Sequence, residues 1–310
     1  MQATCASIGE KLGLGYCDAR AGDHIEYSLG AYLIVFLFVA ASGAMIALCG
    51  FSLEARTSGK ILAGIALLIG SGMLLNGLGH SRIGSAVEAT AMFLIVSITG
   101  MFVSVVLAST NLPYADDSLI RWDASLGFHW LPVYDFFRSR SDWFEWTASI
   151  YATLRWQPFL AIFILCFLND ERKCWLFIKA WVTSLALTLA IFPFFPAIAA
   201  ATYYKAGPVI KGPTPLTWLE VLHVSRSGSL RVLDDRSFVG LITFPSFHAA
   251  AAVLLAWAFI DVRYLRWPFL ALNMAMALSA IIIGGHYLVD ILSGVIIAVL
   301  SIFLCSKEYS

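Results

Sequence analysis

Two short stretches hold residue types able to do chemistry: Phe244-Pro245-Ser246-Phe247-His248 and Gly284-Gly285-His286-Tyr287-Leu288-Val289-Asp290. His286 and Asp290 are four apart, the spacing that stacks two side chains on one helix face. A carboxylate there accepts a hydrogen bond from one imidazole nitrogen, fixes the tautomer and leaves the other nitrogen free to attack an electrophile. Ser246 follows Pro245 at an expected helix start, where a hydroxyl and unpaired backbone N–H groups can hold an anion. His248, two residues on, is placed to protonate a leaving oxygen. Nucleophile, orienter, acid and anion cradle together suit phosphoryl transfer through a phosphohistidine, with no metal or other cofactor required. Each piece also has a plainer reading. The His-x-x-x-Asp pair occurs as a structural hydrogen bond or as metal ligands, Ser246 is a natural N-cap, and His248 could be an interfacial histidine. Gly284 and Gly285 could serve close helix packing alone.

The elements that must position these residues follow from composition. Of 310 residues, 60% are hydrophobic and only 13% charged, with a mean hydropathy of +0.81. An ordinary soluble domain is about half apolar and a quarter charged, so a soluble enzyme, a disordered chain and a collagen-like one are excluded. Twenty basic and twenty acidic residues balance to zero, which gives no reason to expect a nucleic-acid partner. Six cysteines at 5, 17, 49, 166, 174 and 305 show no paired spacing, which argues against a zinc site or a disulfide framework.

A spanning helix needs about 20 apolar residues, and in a bilayer such runs must be helical. Runs of that kind lie between Glu26 and Glu54, Lys60 and Arg82, and Glu88 and Asp116. A fourth is expected from Thr147 to before Asp170, interrupted by Arg155, and a fifth around Trp181 to Phe195, ended by Pro193 and Pro196. Three more are expected over 247–260, 268–283 and 287–305. The predicted fold is therefore all-α: a polytopic transmembrane helix bundle of about eight spans with interfacial helices. The expected organisation is an N-terminal segment (1–28), additional transmembrane helices (29–110), an interfacial amphipathic segment (111–146) and a catalytic bundle (147–310) with an active-site loop at 201–246. The charges in 1–28 argue against a cleavable signal peptide. Plasma or inner membrane is the expected location, with the bilayer as an obligatory partner. Nothing in the pattern assigns an oligomeric state.

The segment from Tyr114 to Trp146 mixes Asp116, Asp117, Asp123, Arg138 and Arg140 with Trp122, Trp130, Phe136, Phe137 and Trp143. That mixture suits helices lying in the headgroup layer, as packing elements or as a gate for lipid entry. A second polar stretch, 201–243, carries Lys205, Lys211, Arg226, Arg231 and Arg236. Such a loop could bind an anion beside the helix that bears His248, or simply meet lipid headgroups. Counting along the hairpin returns the two histidines, 38 positions apart, to one membrane face.

These residues resemble the type-2 phosphatidic acid phosphatase superfamily, whose second motif is Pro-Ser-Gly-His, against Pro245-Ser246-Phe247-His248 here. The third motif, Ser-Arg, five residues, His, three residues, Asp, corresponds to Ser279, Ala280, His286 and Asp290, without the arginine. The first, Lys, six residues, Arg-Pro, survives only as Lys205 before Gly212-Pro213. Phe192-Pro193 with Pro196, Arg226-Ser227-Gly228 and the Gly-x-His-Tyr-x-x-Asp run look more like the branch of inositol phosphorylceramide synthases and their bacterial relatives. The resemblance runs from about residue 147 to 305. It implies that His286 attacks phosphorus, Asp290 orients it, His248 serves as acid and then base, and Ser246 contacts phosphate oxygens. The implied substrate is a phosphorylated membrane lipid, with the site on the extracytoplasmic face. Cations must still hold the phosphate. Arg226 is the first candidate, then Arg231 and Lys205, with Arg236 as the alternative unless Asp234 or Asp235 engages it.

Overall fold

The computed structural model describes residues 19–168, 170–206 and 218–307. Helix α1 (Ala19–Leu48) runs to a turn, and α2 (Ala55–Gly77) and α3 (Ser81–Ala108) follow as a hairpin. Three short helices come next, α4 (Asp116–Ser125), α5 (Trp130–Arg138) and α6 (Ser141–Tyr151). Then come α7 (Gln157–Phe167), α8 (Glu171–Ile191), the single turn α9 (Ala200–Tyr203) and α10 (Trp218–Arg226). The chain ends with α11 (Phe247–Ala258), α12 (Arg266–Ile282) and α13 (Leu288–Lys307). The protein is an all-α helix bundle, as expected. Among the described residues the extended structure is one parallel pairing of Ser52–Leu53 (β1) with Val232–Leu233 (β2).

Among the described residues five helices are long and apolar enough to cross a membrane: residues 28–48 of α1, then α2, α3, α8 extended to Phe194, and α13. The expected fourth span is broken. Its first part, α6 with the following 3-10 turn to Arg155, meets α7 at a 50° bend. Pro158 stands in the first turn of α7, where its missing N–H and ring forbid continuation from the preceding helix. The remaining two expected spans, α11 and α12, are shorter apolar helices. The third span starts earlier than the charge pattern implies, because Glu88 lies inside α3 and not at its edge. It is 5% exposed and accepts hydrogen bonds from Tyr32 Oη and Asn76 Nδ2, each at 2.8 Å. A carboxylate with two donors can be buried where a bare one cannot.

The spans share one large core that draws on α1, α3, α7, α8 and α11. A second, smaller core sits at one end of the bundle, where Leu119, Trp130 and Tyr134 of the short helices meet Ala197, Ala201, Phe244, Ala280, Ile281 and Tyr287. At the opposite end Lys173 reaches Asp261 at 2.8 Å and lies 4.1 Å over the ring of Trp257. That contact joins the first turn of α8 to the turn before α12.

Candidate active site

The second core carries the site. Ser246 caps α11, its Oγ accepting from Ala249 N–H at 3.2 Å, and the side chain is fully buried. His248 therefore falls in the first turn of that helix. His286 lies in the turn between α12 and α13, two residues ahead of the helix, so the expected stacking on one helical face is realised by a helix and the turn leading into it. The two imidazole rings are 6.1 Å apart, centroid to centroid, which confirms that the hairpin returns them to one place.

Backbone contacts set that proximity. Ser246 N–H donates to the Asp290 carbonyl at 3.0 Å. A Cβ on Gly294 would stand 2.1 Å from the Ser246 carbonyl oxygen, so α11 and α13 approach this closely only because residue 294 has no side chain. Gly284 turns the chain with φ +81°, and a Cβ there would lie 2.4 Å from Ala201 Cβ and 2.8 Å from the ring of Trp130.

His286 is 3% exposed and Asp290 fully buried. Nδ1 of His286 lies 2.9 Å from the Thr243 carbonyl oxygen and 3.3 Å from Asp290 Oδ2. Both are acceptors, so the hydrogen bonds assign the proton to Nδ1 and leave Nε2 with its lone pair. The closer acceptor is a main-chain carbonyl that sequence reasoning had no means to find. Asp290 Oδ2 also accepts from Tyr287 N–H at 2.9 Å. His248 stacks on Tyr151 with centroids 4.1 Å apart and planes within 11°, and the tyrosine oxygen lies 3.3 Å from His248 Nδ1.

Two carboxylates of α4 complete the support. Asp123 accepts from Leu288 N–H at 3.0 Å and from Val289 N–H at 2.9 Å. Asp116 accepts from Tyr287 Oη at 2.8 Å and from Ile198 N–H at 3.1 Å. Burial pushes both carboxyls above the ordinary carboxylate range, and these hydrogen bonds pull against that rise. Burial, then the neighbouring Asp116, likewise raises the Tyr287 phenol. In sequence the spacing of Asp116, Leu119 and Asp123 marks only a shared helix face; the structure shows that all three are buried.

The candidate cations are placed differently from one another. Arg226 is half-buried, donates through Nη2 to the Leu112 carbonyl at 2.7 Å and lies 4.3 Å over the Tyr114 ring. Its Nη1 has no partner among the described residues. Arg231 is turned onto the α1–α2 turn, with Nη1 3.3 Å from the Cys49 carbonyl and the guanidinium 4.9 Å over Phe51. Lys205 is exposed at the end of α9. Arg236 pairs with Asp234 at 2.6 Å. Lys211 and the Gly212-Pro213 remnant of the first motif lie outside the described residues, as do Cys5 and Cys17. Ala280, where the third motif has arginine, is fully buried in the second core, and a guanidinium there would be buried among aromatic rings. Among the described residues no group of three or more His, Cys, Asp or Glu is arranged to hold a metal ion.

The model of one protein family, described as the PAP2 superfamily, matches residues 117–304. With more than half of its length matched, the chain belongs to that superfamily, which supports an activity of the phosphatase or phosphotransferase type. The match starts ahead of residue 147, where the motif resemblance begins, and so takes in most of α4, including Asp123. Neither curated proteins nor solved structures give a match.

Proposed function

We propose that the protein is a membrane-embedded lipid phosphatase or phosphotransferase that works through a phosphohistidine on His286 and needs no metal. The observation that carries this reading is the double restraint on His286 Nδ1, from the Thr243 carbonyl and Asp290, which leaves Nε2 as a nucleophile beside the ring of His248. In the first step Nε2 forms a bond to phosphorus as the bond to the lipid oxygen breaks. His248 gives its proton to that oxygen. In the second step His248 takes a proton from water or an alcohol, whose oxygen attacks phosphorus and releases His286. Asp290 stabilises the imidazolium that forms in between.

Ser246 and the first N–H groups of α11 are the natural contacts for phosphate oxygens. Arg226 is the favoured cation, since its Nη1 is uncommitted among the described residues, with Lys205 and Arg231 behind it. A lipid substrate suits a site set at the end of the spans, where α12 and α13 expose Met274, Leu278, Leu292 and Ile296 along their lengths. The choice between water and an alcohol acceptor distinguishes a phosphatase from the transferase branch that the Gly-x-His-Tyr-x-x-Asp run resembles.

The opposite end of the bundle carries Arg172, Lys173, Arg263 and Arg266, which favours the cytoplasm for that end and the extracytoplasmic face for the site. Ser229→Cys, in the exposed turn after α10, should label with an impermeant thiol reagent from outside the cell. Labelling only after the membrane is opened would invert this orientation. The catalytic reading is tested by phosphate release from a panel of lipid phosphates in detergent with a chelator present, then with alcohol acceptors added. Wild-type turnover that disappears in His286→Ala supports it. Inertness in both formats would leave a lipid or ion transporter with a polar intramembrane site, or a non-catalytic headgroup-binding protein.

A further inference from the structure

We propose that Asp123 is a positioning residue for His286, so that α4 is part of the catalytic apparatus and not only a headgroup-layer packing element. This inference rests on the reading of His286 as the nucleophile.

The first N–H groups of a helix lack intrahelical partners and are usually satisfied by a local side chain. At α13 the local side chains are committed elsewhere: His286 to Thr243 and Asp290, Tyr287 to Asp116. Asp123 supplies the cap from 165 residues away, one oxygen to Leu288 N–H and the other to Val289 N–H. Tyr287 N–H, the next donor back, goes to Asp290. Three successive amides directly after His286 are thus fixed by two carboxylates. The imidazole hangs from the end of that pinned segment, and its attack angle depends on the segment's rotation. Asp123 is 3% exposed, and Trp122 beside it packs 6.1 Å from Phe244, next to the Thr243 carbonyl that holds the imidazole. The same helix therefore braces the histidine from both sides. Because the α13 amides are already occupied, the helix end left to cradle phosphate is that of α11.

Asparagine has one acceptor oxygen and turns an amide N–H₂ towards the other N–H. Asp123→Asn should therefore release one of the two clamped amides and let the turn shift. A shift of His286 differs from a loss of the anion cradle, and two probes separate them. Orthovanadate takes a fifth ligand from a well-placed imidazole nitrogen, whereas inorganic phosphate needs the cradle alone. Binding of each would be measured to the full-length protein in nanodiscs, for wild type, His286→Ala and Asp123→Asn. Misplacing a reacting group by about an ångström costs on the order of 10²-fold. The expected result is therefore orthovanadate affinity about 10- to 10²-fold weaker in Asp123→Asn, with phosphate affinity unchanged within about twofold. Equal affinity for orthovanadate, or parallel loss of both probes, would overturn the positioning role. Wild-type orthovanadate binding that survives His286→Ala, or no wild-type binding, would instead bring down the nucleophile reading and this inference with it. Asp123→Ser keeps one acceptor oxygen and carries the same comparison if the asparagine variant does not fold.

Discussion

At the scale of single residues, the site is governed by which acceptor holds His286 Nδ1. The Thr243 carbonyl is nearer than Asp290, at 2.9 Å against 3.3 Å, so the tautomer survives loss of the carboxylate charge. A triad whose orienting aspartate is the sole tautomer lock loses about 10⁴-fold on conversion to asparagine. Asp290→Asn should cost nearer 10²-fold here, because only stabilisation of the imidazolium is removed. A loss of 10⁴-fold or more in single-turnover kinetics, with thermal stability intact, would return the orienting role to Asp290. Tyr151 presents a similar division of labour. Tyr151→Phe keeps the stack under His248 and deletes only the 3.3 Å hydroxyl contact. It should retain activity within about tenfold, since one long hydrogen bond is worth about 1 kcal/mol, whereas Tyr151→Ala should lose much more.

At the scale of elements, the site exists because α11, α13 and α4 are locked together by contacts with no tolerance for extra atoms. Gly294→Ala places a Cβ against the Ser246 carbonyl and should destabilise the fold by about 1–3 kcal/mol. Gly285→Ala, whose nearest neighbour would be the Ala280 carbonyl oxygen at an ordinary 3.7 Å, should fold normally. A melting comparison of the two variants checks this, and equal melting temperatures would contradict it. Asp116 and Asp123 add a pH dependence. Burial raises their folded-state pKa values above that of a free aspartate, so the native state binds protons more tightly than the unfolded chain. Their contribution to stability is full below pH 3.8 and is lost as pH rises through the folded-state values. Asp116→Asn should flatten the slope of melting temperature against pH in that window.

The same elements show what the sequence carried. His248, His286 and Asp290 were legible because each sits in a short local pattern and because counting residues along a hairpin fixes which ends meet. The broken fourth span was legible as an interruption at Arg155, although Pro158 is its cause. The roles of Thr243, Asp116 and Asp123 were not. A carbonyl leaves no mark in a sequence, and an aspartate in an amphipathic segment looks like any solvated charge until its partners, 165 residues on, are known.

At the scale of the whole molecule, the three N-terminal spans lie outside the matched region, and they touch the loop that leads to the site. Ser52 N–H donates to the Arg231 carbonyl and Glu54 N–H to the Leu233 carbonyl, each at 2.9 Å. Arg231 closes over the same turn. The α1–α2 turn thus anchors the loop that follows Arg226 at the end of α10. Ser52→Pro removes one of those donors and should make residues 228–240 more sensitive to protease without changing the stability of the bundle. Unchanged cleavage would mean that the pairing contributes little to holding the loop.

The most direct test of the central claim is to trap the covalent intermediate. The protein would be mixed with a lipid phosphate that it turns over, quenched in alkali within one turnover, digested and mapped by mass spectrometry. An acid-labile phosphoryl group on the peptide containing His286, absent from His286→Ala, is the result expected. A phosphoryl group on His248 or another residue, or turnover with no phosphorylated enzyme at any quench time, would contradict a phosphohistidine mechanism at His286.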